Sequence, residues 1–153
     1  MTIKEYSKKR DFKKTPEPQG KTPRTPAGQK KPIFVIHKHH ASHLHWDLRL
    51  EMNRVLVSWA VPKEPPVEKG TKRLAMHVED HPLSYAKFEG TIPEGNYGAG
   101  TVEIWDNGTY ELLKKTEKEI EVIFHGKRVK GKYVLIKTNY GSRPEKSWLF
   151  FKV

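Results

Sequence analysis

The stretch His45-Trp46-Asp47-Leu48-Arg49-Leu50-Glu51-Met52-Asn53-Arg54-Val55-Leu56-Val57-Ser58-Trp59-Ala60-Val61 decides how this chain folds. From His45 to Glu51 polar and apolar residues alternate, which is the period of a β-strand with two unlike faces. A second run, rich in β-branched and aromatic residues, starts at Val55. Only Asn53-Arg54 separates the two, so strands over His45–Met52 and Val55–Val61 joined as a hairpin are expected. The alternation sets His45, Asp47, Arg49 and Glu51 side by side on one face, with Trp46, Leu48 and Leu50 on the other.

Working outward, Ile33 to His37 reads as a short strand and His39 to Leu44 as a turn carrying imidazoles; five of the eight histidines fall between His37 and His45. Downstream, Pro62-Lys63-Glu64-Pro65-Pro66 ends the hairpin. Lys72 to Val78 is the next strand, closing at Glu79-Asp80-His81-Pro82, where the proline restricts its predecessor and sets His81 in a fixed loop. Phe88 to Gly100 holds four glycines and Pro93 and reads as a loop that lets backbone approach another group. Without a Lys-Ser or Lys-Thr pair or a following helical pattern it is not a Walker-type phosphate loop. Strands resume at Thr101–Trp105, Gly108–Leu113, Ile120–His125, Gly131–Lys137 and Ser147–Lys152, with Asp106-Asn107-Gly108 and Gly126-Lys127-Arg128 as hairpin turns. Short strands at regular intervals with almost no helical periodicity predict an all-β fold, a barrel or compact sandwich. The adopted reading is a single compact β-barrel of about eight strands with short helical or loop decorations.

The 153 residues suffice for one domain with its own core. Residues 1–32 hold ten Lys or Arg against three acidic residues, so +7 of the net +11 lies there, together with five of the eleven prolines. This segment is too poor in apolar residues for a core of its own and is expected to be a flexible basic tail, with residues 33–153 forming the barrel. The charge favours a polyanionic partner, nucleic acid being the usual one. With no cysteine, a bound metal would be held by His, Asp, Glu or water. No membrane span or signal sequence is seen, and a cytoplasmic monomer is expected.

The polar face of His45–Glu51 has a plain reading, an exposed side over a core of Trp46, Leu48 and Leu50. The upstream histidines offer another: His39 or a neighbour turns back to complete a His, His, Asp set suited to manganese or zinc, with Arg49 holding a phosphate oxygen beside it. A His-x-Asp with a later histidine (His77, His81 or His125) also describes the facial triad of iron oxygenases. A basic barrel that only binds nucleic acid is the rival from outside enzymology.

The string Lys38-His39-x-Ala41-x-x-Leu44-His45-Trp46-Asp47-x-Arg49-Leu50-Glu51, with Ser58-Trp59-Ala60-Val61-Pro62-Lys63, Glu79-Asp80-His81-Pro82 and Ile92-Pro93-Glu94-Gly95-x-Tyr97-Gly98-Ala99-Gly100, resembles the 3'-phosphoesterase domain of DNA ligase D, an enzyme of prokaryotic non-homologous end joining. Arg10-Asp11-Phe12, Thr15 and Glu17-Pro18 extend the match into the tail. The resemblance implies a β-barrel whose concave polar side binds Mn2+ (Co2+ or Zn2+ as alternatives) through His39, His45 and Asp47. It implies an essential His81 near the scissile phosphate and an essential Arg49. Lys63, Arg73 and Tyr85 would lie around the phosphate, with Lys63 and Arg73 weighted toward the phosphomonoester step. Arg10, Asp11 and Glu17 would be site components. The chain departs from the pattern at His37, where glutamine is usual, at His40 and His43, and at Trp46, where tyrosine is usual; His37 is kept as an adjunct to the site. The implied substrate is a primer-template 3' end, DNA or RNA-terminated DNA. Its terminal ribonucleoside and then the 3'-phosphate would be removed to leave a 3'-OH, with ligase, polymerase and end-binding proteins as implied partners.

Overall fold

The computed structural model describes residues 3–10, 17, 31–139, 141 and 143–153. A short helix α1 (Ile3–Lys8) precedes nine strands: β1 (Ile33–His40), β2 (Leu44–Met52), β3 (Val55–Val61), β4 (Lys72–Pro82), β5 (Gly90–Ile92), β6 (Gly100–Lys115), β7 (Glu119–His125), β8 (Lys130–Lys137) and β9 (Ser147–Lys152). Eight of them pair antiparallel in the order β1-β2-β3-β4-β9-β8-β7-β6 and close through β1 and β6; β5 adds to β6. Closure matters because it leaves no long strand edge unpaired among these eight. No helix among the described residues is long and apolar enough to cross a membrane.

The β2–β3 turn is the expected one. Asn53 and Arg54 both have positive φ (51° and 66°), as a two-residue turn matching strand twist requires. The interior of the barrel is apolar: Phe34, Ile36, Trp46, Leu48, Leu50, Trp59, Phe124, Tyr133 and Phe150 belong to one buried cluster.

Three expectations about boundaries are corrected. β1 continues to His40, so the turn before β2 shrinks to Ala41-Ser42-His43. β4 continues to Pro82, so His81 is a strand residue facing Leu56 of β3, not a loop residue. The proposed hairpin at Asp106-Asn107-Gly108 does not form. Gly100 to Lys115 is one strand bridging β1 on one side and β5 and β7 on the other. The Asp106 carboxylate instead accepts from the backbone N–H groups of Lys127, Arg128 and Val129, each at 2.9 Å, and so caps the β7–β8 turn. Gly126 is required there, because a Cβ would run into that carboxylate and the Phe34 ring.

Part of the N-terminal segment packs on the barrel. Tyr6 of α1 is fully buried and Glu17 nearly so, against the outer side of the barrel. Asp11 lies outside the described residues.

Candidate metal centre and phosphate cavity

The site sits on the outer face of β1 to β4, under the N-terminal segment and the 3-10 helix Leu83–Lys87. Asp47 and Arg49 of β2 thus neither line the interior nor meet open solvent, at 6% and 3% exposed, while His45 and Glu51 are half-buried. In the β1–β2 register His39 faces His45, His37 faces Asp47 and Val35 faces Arg49, so one hairpin brings both imidazoles and the carboxylate together.

His39, His45 and Asp47 offer ligand atoms all within 4.8 Å of one another. Their orientation is fixed from outside. His39 Nε2–H donates to the Gly98 carbonyl at 2.7 Å, turning Nδ1 toward Asp47 Oδ2 at 3.7 Å. His45 Nδ1–H donates to the His43 carbonyl at 3.0 Å, turning Nε2 toward Asp47 Oδ1 at 3.3 Å. A carbonyl behind each ligating imidazole is the usual outer-shell arrangement of a metal site. Each imidazole thus turns its second nitrogen toward the Asp47 carboxylate, and the trio is a donor set that fits a divalent cation. Burial opposes ionisation of Asp47, but Arg49 and the two imidazoles outweigh it and hold its carboxyl well below the usual range.

Arg49 is held at every branch. Its Nη1 donates to Ser58 Oγ at 2.9 Å, its Nε to His37 Nδ1 at 3.2 Å, its Nη2 lies 3.4 Å from Asp47 Oδ2, and its guanidinium stacks 4.9 Å from the Tyr85 ring centre. His37 in turn donates Nε2–H to the Phe88 carbonyl at 3.0 Å. Burial and the Arg49 charge push its pKa down to about 3, so it is a neutral acceptor for Arg49. The adjunct histidine therefore positions the arginine.

The register shift between Leu56 and Ser58 places His81 opposite Leu56 and Val78 opposite Ser58, giving β4 one residue more than β3. The extra residue changes the parity of the strand: Ala75 points inward, yet Val78, Glu79 and His81 all line the outer cavity. His81 Nδ1–H donates to the Glu79 carbonyl at 3.0 Å, and Nε2 accepts from Arg10 Nη2 at 3.3 Å. Burial, Arg49 and Arg10 hold its pKa well below 6.5.

The N-terminal segment forms the roof. Arg10 donates to Glu17 at 2.8 Å and to Glu79 at 3.4 Å, and stacks on Tyr6 at 4.0 Å. Glu17 also accepts from the Tyr85 hydroxyl at 2.9 Å. Glu79 accepts from Lys9 at 3.2 Å as well. The cavity beneath the roof, of about 290 Å³ and open on one side, is lined by Arg10, His39, His45, Asp47, Arg49, Glu79, His81 and Tyr85, among others.

Not every expected residue joins. Lys63 is exposed, and Arg73 donates Nε–H to the Glu64 carbonyl at 2.8 Å beside a separate groove under Pro65 and Pro66. Neither lines the cavity. The later histidines of the iron-triad reading do not join the ligand group either. His77 is stacked on Trp59, His125 pairs with Glu111 at 2.6 Å on the surface, and His81 is taken by Arg10 and Glu79. Sequence reasoning missed Tyr6, Ser58, Glu79 and the Gly98 carbonyl. Ser58, Glu79 and Gly98 lie inside the motifs that carry the resemblance, but nothing in spacing marked their roles.

Residues 37–137 match the family described as the DNA ligase D 3'-phosphoesterase domain. The chain belongs to this family. Among curated proteins it is similar to the multifunctional non-homologous end joining protein LigD of Pseudomonas aeruginosa, 44% identical over 156 residues, covering 98% of this chain and 18% of that protein. The LigD protein of Mycobacterium tuberculosis is 51% identical over 139 residues, covering 88% and 18%, and that of Mycolicibacterium smegmatis is 47% identical over 156, covering 94% and 19%. The chain thus spans about a fifth of the length of these relatives. Of the residues marked by the resemblance, His39, His45, Asp47, Arg49 and His81 lie on β1, β2 and β4 and line the cavity.

Proposed function

We propose that this protein is a metal-dependent 3'-end-healing phosphoesterase of DNA repair, which removes a 3'-terminal ribonucleoside and then the remaining 3'-phosphate to leave a 3'-OH. The observation that carries this reading is the convergence of His39, His45 and Asp47 beside two buried guanidiniums, Arg49 and Arg10, in one cavity.

His39 Nδ1, His45 Nε2 and the Asp47 carboxylate would hold the ion, Mn2+ in this proposal. When bound, it supplies Lewis-acid neutralisation of charge at phosphorus. Arg49, immobilised by Ser58, His37 and Tyr85, presents its guanidinium to nonbridging phosphate oxygens without having to reorganise. Arg10 does the same from the roof. In the free protein His81 Nε2 carries a lone pair, since Nδ1 holds the proton on the Glu79 carbonyl. A phosphate that draws Arg10 off Nε2 and sits between the two guanidiniums offsets the charges that keep His81 neutral, so Nε2 takes up a proton as substrate binds and delivers it to the leaving oxygen while a water attacks phosphorus. Tyr85 remains a protonated donor, because burial and Glu17 hold its hydroxyl well above 10 against Arg49. Lys63 and Arg73 enter as contacts to the phosphate from beyond the cavity lining, to be tested by their alanine variants on a 3'-phosphate end. Asp11 is proposed as a further site residue, and ligase, polymerase and end-binding proteins as partners.

The test is a labelled primer-template ending in one ribonucleotide, incubated with manganese or with EDTA. Stepwise conversion to a 3'-phosphate and then a 3'-OH, with manganese only, is expected. An unchanged 3' end under manganese sinks the enzyme reading in favour of a barrel that only binds nucleic acid.

A further inference from the structure

A second cavity, of about 520 Å³, opens beside the first between the β1–β2 turn and the loop that precedes β6. The two share a wall: Ala41 and Gly98 line both. Gly98 is also the residue whose carbonyl fixes His39, so the outer cavity abuts the metal side of the inner one. Close packing forms this wall, because a Cβ on Gly100 would run into the His40 carbonyl.

The two linings differ in chemistry. The inner cavity is walled by Arg10 and Arg49, three histidines and the carboxylates of Glu17, Asp47 and Glu79 that hold the guanidiniums, and it is these two guanidiniums that recognise a phosphate. The outer one presents His40, Ser42, Glu94 and Asn96, and no lysine or arginine among the described residues, in a chain whose net charge is +11. A polyanionic strand is poorly served by such a surface. An uncharged group with hydroxyls and ring nitrogens is well served, since the Glu94 carboxylate accepts from sugar hydroxyls and the Asn96 Oδ1 accepts from a base edge while its Nδ2 donates to the Pro93 carbonyl at 3.2 Å. Its volume falls in the range of small-molecule sites.

The terminal ribonucleoside of the proposed substrate is such a group. It carries no phosphate on its 3' side and leaves as a neutral molecule from the phosphorus bound in the inner cavity. We infer that the outer cavity is the subsite for this departing nucleoside, with Glu94 and Asn96 facing its sugar and base and Ser42 at its wall. The inference rests on the phosphoesterase reading and adds to it a division of labour: the nucleoside subsite is occupied in the first step and unused in the second, when only a phosphate remains.

That division supplies the experiment. The full chain and the variants Ser42→Trp, which fills the cavity, and Glu94→Ala, which removes its carboxylate, are assayed with manganese on two primers, one ending in a ribonucleotide and one in a 3'-phosphate. The expected result is at least a ten-fold fall in kcat/KM for ribonucleoside release by Ser42→Trp and a smaller fall by Glu94→Ala, with 3'-phosphate hydrolysis within two-fold of the unaltered chain. If both steps fall together, or neither changes, the subsite assignment is overturned. An unaltered chain inactive on both primers sinks the phosphoesterase reading itself, and the subsite with it.

Discussion

The two faces of β2 are buried to nearly the same degree and by different physics. Leu48 and Leu50 on the inner face are fully enclosed; Asp47 and Arg49 on the outer face are 6% and 3% exposed. The inner side chains need only volume and apolar neighbours. Each outer one needs a named partner: Asp47 has His39, His45 and Arg49, while Arg49 has Ser58, His37 and Tyr85. Burial outside the barrel wall is achieved by adding a roof of α1, Arg10 and Glu17, and this roof is polar where it meets the strands. An inner residue can be exchanged at a cost in stability alone, whereas an outer one carries both stability and chemistry.

This contrast can be broken or sharpened in four ways. The largest effect is expected from Asp47→Ala, which removes the one anionic ligand. Activity with manganese should fall by more than ~100-fold, beyond the range seen when outer-shell partners of a metal are lost, and manganese binding by calorimetry should vanish while the fold persists. Next, Leu48→Ala one position away should leave the ligand set in place and destabilise the barrel by about 3 kcal/mol in urea unfolding, the ordinary cost of a core leucine. A manganese affinity that falls as far as for Asp47→Ala would show that the two faces are not separable. Third, Ser58→Ala removes one partner of a buried arginine and should cost about 1–3 kcal/mol in stability and a comparable factor in phosphate-dependent kcat/KM. The smallest effect concerns pH. Folded-state pKa values of about 3 for His37 and about 4 for His77, and a value well below 6.5 for His81, mean that the unfolded chain binds these protons first. Metal-free stability should therefore hold above pH 6.5 and decline as pH falls from 6.5 toward 4. His77→Leu, remote from the cavity lining, should flatten that decline; an unchanged slope refutes its share.

Much of this was legible in the residues. The alternation of β2, its short turn and the run of β3 foretold the hairpin, and with it the placing of His39 across from His45. The grouping of His39, His45 and Asp47 could be read because the three lie within one hairpin, where register is local. What could not be read is parity across a register shift. Counting by twos from Ala75 would send Glu79 and His81 inward, and only the extra β4 residue opposite β3 turns them out. Asp106-Asn107-Gly108 misled for a related reason: an Asn-Gly pair signals a turn when the strands on either side pair with each other, whereas here β6 runs on between other partners. The roof was legible only through the resemblance at Arg10 and Glu17, because charge and proline content describe a segment's cost of ordering, not the Glu79 and Tyr85 partners that meet it on the barrel.

The roof has a consequence for how the molecule is assembled. Every member of the interior cluster lies between Phe34 and Phe150, so no apolar burial inside the barrel depends on Tyr6, Arg10 or Glu17. The scaffold and the roof are thus separable in their packing: a chain clipped ahead of β1 is expected to keep the barrel's apolar core and to lose Tyr6, Arg10 and Glu17 from above the cavity.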